Sequence, residues 1–178
     1  MPRQVVLLRG INLGSSRRIA MADLRELLTA AGHEDVRTHL QSGNVVLSSE
    51  HAPAALERMI AEQILARLGM EVPVLVRTRD ELADVVRRNP LGAVANDPKR
   101  LQVSFLSAEP APAVVRELES VDIAPEQIAV SGREIYVWHA NGIQKSPAAA
   151  LISDRRLGVT ATARNWNTVT RLLELADA

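Results

Sequence analysis

The 178-residue chain contains no cysteine, which excludes disulfides, thiolate metal sites and thiol nucleophiles together. Only Phe105, Tyr136, Trp138 and Trp166 are aromatic. Leu, Val, Ile and Ala must therefore supply most of the buried area, at about 25 cal/mol per Å² of apolar surface removed from water. No apolar run approaches the ~18 residues that a membrane helix needs. The start Met1-Pro2-Arg3-Gln4 is followed by only four apolar residues, too few for a secretory hydrophobic region. A membrane partner is not expected, and the default location is cytoplasmic. Charge of one sign is also missing: 21 basic and 21 acidic residues give a formal net charge of zero, so the broad positive field of a dedicated DNA-binding protein is absent. What is present, 47% hydrophobic and 24% charged residues, is the balance of a folded globular protein.

Periodicity organises the chain into two similar halves. Gln4 to Arg9 is apolar on both alternating faces, as in a central strand. Leu24, Leu27, Leu28 and Ala31 fall at helical spacing before Gly32. Val36, Thr38 and Leu40 alternate with Arg37, His39 and Gln41, Ser42-Gly43-Asn44 turns the chain, and Val45 to Ser48 returns, which is a hairpin. Pro53 opens a helix with an apolar stripe from Leu56 to Leu68, and Val72 to Arg77 is a fourth strand. The order strand, helix, strand, strand, helix, strand is that of a ferredoxin-like plait. Thr78 and Glu81 have capping-box spacing for one more helix, ended by Asn89-Pro90. The same order recurs from Leu101 onwards, with Ser131-Gly132 echoing Ser42-Gly43 and a final helix from Asn165. The expected fold is thus α+β, an internal duplication of two ferredoxin-like domains over 1–90 and 101–178 joined by a linker at 91–100.

Three stretches then carry a resemblance. Leu8-Arg9-Gly10-Ile11-Asn12-Leu13-Gly14, Gln41-Ser42-Gly43-Asn44-Val45-Val46 and Thr162-Ala163-Arg164-Asn165-Trp166-Asn167-Thr168 resemble the signature stretches of a widespread bacterial domain-of-unknown-function family. The resemblance spans nearly the whole chain and implies two tandem ferredoxin-like domains in a cytoplasmic protein. This chain departs from the family's usual pattern at Ser15, Ser16, Arg17 and Arg18, where lysine is usual, at Leu47, where Phe is common, and at Ala163, where Thr is common. The family brings no established reaction or ligand with it.

The strongest functional pattern is basic residues beside helix starts. Arg17 and Arg18 precede the first helix, Lys145 precedes Ser146-Pro147, and Arg164 precedes Asn165. Helix N-termini offer unpaired N–H groups and a positive dipole end, so a neighbouring cation completes an anion site. The first half also has a longer connection, Asn12 to Ala20, than its counterpart Ser107 to Pro112, and an added loop on a regular scaffold is a natural place for function. The expectation is a phosphate-bearing small molecule held by Arg9, Arg17, Arg18, Lys145 and Arg164, with Asn12, Asn44 and Asn165 orienting it. The competing account is that Ser146 and Asn165 are ordinary caps and the cations are solvated. The glycines of Gly10 to Gly14 match neither a dinucleotide fingerprint nor a P-loop, and no cofactor is implied.

Three other readings compete. Phe105, Tyr136 and Trp138 fall on the two central strands of the second half, where RNA-recognition plaits stack bases, although the usual sequence pattern is missing and aromatic packing explains the rings equally well. A hydrolase or transferase could use His39 as acid or base. His33, Glu34, Asp35 and His39 lack metal-ligand spacing, and Ser42 is in a turn rather than a nucleophile elbow. Finally, exposed strand edges would suit an interaction protein, with the oligomeric state left open.

Overall fold

The computed structural model describes all 178 residues, Met1–Ala178. In chain order the elements are β1 (Arg3–Leu8), α1 (Met21–Ala30), β2 (Glu34–His39), β3 (Asn44–Ser48), α2 (Pro53–Leu68), β4 (Val74–Thr78) and α3 (Arg79–Arg87), followed by β5 (Leu101–Leu106), α4 (Pro112–Ser120), β6 (Gln127–Ser131) and β7 (Glu134–Trp138). A single 3₁₀ turn (Ile143–Lys145), α5 (Ala148–Leu151), α6 (Asp154–Leu157), β8 (Ala161–Asn165) and α7 (Trp166–Asp177) complete the chain. There are two four-stranded sheets, ordered β2-β3-β1-β4 and β6-β7-β5-β8, antiparallel at every pairing.

Each sheet has a helix-covered face. In the first, Val6 stands opposite Val45 and Val76, and with Leu8, Leu47 and Val74 these residues meet Leu24, Leu28, Leu56, Ile60 and Ile64 of α1 and α2. In the second, Leu106, Ile135 and Val137 form the corresponding layer with Leu118, Ala148 and Leu157. Both cores are aliphatic, as the scarcity of aromatics requires. At the start of α3 the capping box is closed reciprocally: Glu81 Oε2 accepts the Thr78 amide at 2.8 Å, and Thr78 Oγ1 accepts the Glu81 amide at 3.1 Å.

The contacts divide the chain into Met1–Asp84 with Arg171–Ala178, and Val85–Thr170. This differs from a division at 91–100. Residues 85–90 go with the second unit because the Tyr136 hydroxyl donates to the Val85 carbonyl at 2.6 Å and the Arg88 guanidinium pairs with Glu134 at 3.3 Å. The last eight residues go with the first unit, where Asp177 accepts from Arg79 Nε at 2.6 Å and the Ala178 carbonyl accepts from Arg3 at 3.0 Å. Two strand details also depart from simple alternation. The β2 register shifts between Glu34 and Arg37, and Leu40 leaves the strand with φ +60° and 57% exposure instead of continuing its inward-facing row.

Candidate functional site

The connection from β1 to α1 is built around Asn12. Its Nδ2 donates to the carbonyls of Ile19 (2.8 Å) and Gln41 (2.6 Å), and its Oδ1 accepts the Ile19 amide (2.9 Å). The main-chain amide of Asn12 also donates to the Arg17 carbonyl at 3.0 Å, closing 12–17 into a compact loop. Asn12 and Arg17 both adopt φ +55°, a region that costs most residues free energy but that Asn tolerates. One side chain thereby ties the loop both to itself and to the β2–β3 turn. Asn44 completes that turn: it is buried, and its Nδ2 donates to the His39 carbonyl (2.8 Å) and to Ser42 Oγ (2.9 Å). The amides expected to orient a ligand thus bond the loops instead.

The two loop arginines are placed by backbone carbonyls. Arg17 donates from Nε to Gly10 O (3.0 Å) and from Nη2 to Glu71 O (2.7 Å), and Arg18 Nη1 donates to Gly14 O (3.1 Å). Both side chains are exposed, and all three acceptors are uncharged, so neither guanidinium is neutralised. Arg9 borders the same region, its amide donating to the Pro73 carbonyl at 3.0 Å. The loop leads directly into α1, whose N-cap is Ala20, with no side-chain oxygen to satisfy the first-turn N–H groups. Asp23 supplies one negative charge in that turn.

The remaining expected cations belong to the second unit and behave differently. Lys145 is exposed at the end of the 3₁₀ turn. Arg164 is buried, donating to Thr162 Oγ1 (2.7 Å) and to the Ala163 carbonyl (2.9 Å), and burial lowers its pKa to about 10. It is no surface cation, because alternation along β8 turns it toward the sheet face shared by Val103, its register partner. Asn165 Oδ1 accepts the Thr168 amide at 3.0 Å, the geometry of a helix cap for α7. Phe105, Tyr136 and Trp138 are 1%, 0% and 7% exposed, so no ring face is offered to a nucleic-acid base in this conformation. His39 is partly buried, and burial, followed by the nearby Arg171, holds its pKa below the usual value.

A polar chain that sequence reasoning missed lies in the second unit. Ser146, instead of capping a helix, donates to Glu126 Oε2, and its oxygen lies 2.6 Å from His139 Nδ1. His139 Nε2 is 2.9 Å from Gln102 Oε1, and the imidazole is fully buried. With the hydroxyl proton directed at Glu126, Nδ1 carries the ring proton. A neutral ring then needs the amide nitrogen of Gln102 facing Nε2, whereas a protonated ring donates to both neighbours. Burial lowers the His139 pKa, with Glu126 opposing it more weakly. The only sequence signal was a histidine directly after an apolar strand. No three His, Asp or Glu side chains converge in a metal-binding arrangement.

Residues 1–136 match the model of a family described as "Protein of unknown function (DUF1697)". The chain belongs to this family. Comparison with curated proteins gives no match. Among solved structures, the conserved bacterial protein SP0830 from Streptococcus pneumoniae is similar over 98% of each chain, with a TM-score of 0.78 and 21% sequence identity. At that identity the likeness is one of fold. The DUF1697 match covers the whole β1–α1 loop, its hairpin partner and the second unit as far as Tyr136.

Proposed function

We infer that this DUF1697 protein binds an anionic, phosphate-bearing ligand at the loop between β1 and α1. The observation that carries the reading is that Arg17 and Arg18 are held by backbone carbonyls with their charges uncompensated, immediately before an uncapped helix start. A guanidinium bound to a carbonyl retains N–H groups in fixed directions, which suits a tetrahedral oxyanion. Each unit charge at about 4 Å contributes roughly 1 kcal/mol in bulk water and about 4 kcal/mol where the effective dielectric is near 20. Two such arginines and the helix start support dissociation constants near ~1 mM for the bare anion, equivalent to about 4 kcal/mol. The order of elements and the strand order β2-β3-β1-β4, repeated as β6-β7-β5-β8, support a ferredoxin-like plait for each unit.

The test is titration with inorganic phosphate at low ionic strength, read by calorimetry. Arg18→Gln removes a charge at the cost of one carbonyl contact and should weaken phosphate binding about tenfold or more. Arg17→Lys keeps the charge but loses the two-point attachment and should weaken it less. Absence of phosphate binding to the parent chain, or unchanged affinity in Arg18→Gln, overturns the reading.

A further inference from the structure

The basic loop adjoins an apolar groove. On the outer side of α2, Ala61 and Leu65 form one wall, and Val72 and Pro73, just before β4, form the other, enclosing about 350 Å³. This is the size of a small-molecule site, and most of its lining is apolar. Leu65 remains 46% exposed although it belongs to a helix whose opposite face is fully packed. The loop is joined to this groove at two points: Arg17 Nη2 donates to the carbonyl of Glu71, a lining residue, and the Arg9 amide donates to the carbonyl of Pro73. Leu13, 84% exposed, projects from the same loop. A cation with an uncompensated charge thus stands at the edge of an apolar groove.

We propose that the ligand is an anionic amphiphile, a phosphate monoester of an aliphatic alcohol whose head group meets Arg17 and Arg18 and whose chain lies along Leu65, Val72 and Pro73. The proposal rests on the anion-binding reading above and adds the apolar half of the ligand. Glu62 and Glu71 border the groove and disfavour an anion lodged in it, which places the phosphate at the loop end and only the uncharged chain between α2 and Pro73. Each fully buried methylene is worth about a fourfold gain in affinity, so even partial cover of an octyl chain should be visible.

The experiment compares inorganic phosphate with octyl phosphate, kept below its micelle-forming concentration, on the full chain. Octyl phosphate should bind at least tenfold more tightly. Leu65→Ser, at an exposed position, should remove most of that advantage and leave phosphate binding unchanged, whereas Arg18→Gln should weaken both probes by a similar factor. Equal affinities for the two probes overturn the proposal while leaving anion binding intact, and so does a Leu65→Ser variant that keeps the octyl advantage. Octylammonium binding more tightly than octyl phosphate also overturns it, since the groove would then serve its glutamates and not the arginines. If neither phosphate probe binds, the anion-binding reading falls and this proposal with it.

Discussion

Replacing Gly43 by alanine should destabilise the first unit by about 2–5 kcal/mol. Gly43 sits at φ +87°, and a Cβ added there would lie 2.7 Å from the Leu8 Cβ and 2.9 Å from the Ile11 Cδ1. Neither neighbour yields readily: both are buried, and Leu8 is held through its amide by the Gly43 carbonyl at 2.8 Å. Left-handed backbone costs an L-residue about 1–2 kcal/mol, and overpacking a closed site adds about 1–3 kcal/mol. Gly132 is the internal control, since it occupies the corresponding turn at φ +58° with only Glu109 Oε1 near the would-be Cβ, at 3.9 Å. Gly132→Ala should show the backbone cost alone. All four aromatic residues lie within Val85–Thr170, so both tryptophan probes sit in the second unit. Urea unfolding of Gly43→Ala must therefore be followed by far-ultraviolet circular dichroism, and that of Gly132→Ala by both signals. If Gly43→Ala costs no more than Gly132→Ala, the close approach of Leu8 and Ile11 does not constrain this turn.

Asn12→Ala, which deletes three hydrogen bonds at φ +55°, should cost about 2–4 kcal/mol. Asn12→Gly should cost about 1 kcal/mol less, because glycine relieves the backbone; circular dichroism in urea and proteolysis within 13–18 would check both. His139 has a folded-state pKa below its unfolded value near 6.5, so the neutral form is favoured by folding. Its stabilising contribution is complete above about pH 6.5 and falls at lower pH, with a slope of at most about 1.4 kcal/mol per pH unit until the folded-state pKa is passed. Denaturation monitored by tryptophan fluorescence at pH 7.5 and 5.5 should show this loss, and His139→Gln should flatten it. Thr78→Ala should lower the stability of the first unit by about 1 kcal/mol through loss of the α3 cap, measured as a shift of the dichroism transition at constant m.

Much of the fold was legible in the sequence because its determinants are local. Short apolar runs mark β1 and β3, the stripe from Leu56 to Ile64 marks α2, and Thr78 with Glu81 marks the start of α3, each within a short stretch of chain. The β1–α1 loop stood out for the same reason: it breaks periodicity and concentrates Gly, Ser and Arg between regular elements.

The roles of individual polar residues were not legible in this way. Asn12 and Asn44 carry amides that could face a ligand or a loop, and the choice rests on where Gln41, 29 residues on from Asn12, comes to lie. Arg164 reads as a helix-start cation, yet the register of β8 with β5 takes it into the interior, where burial lowers its pKa. The buried chain Gln102–His139–Ser146–Glu126 joins residues 37, 7 and 20 positions apart, so no motif announces it. The groove beside Arg17 likewise exists only because α2 and the segment before β4 pack side by side. Periodicity and capping act over a few residues and are written in the chain. Which polar group meets which partner depends on the packing of distant segments, and that is settled only once the sheets and helices have closed on each other.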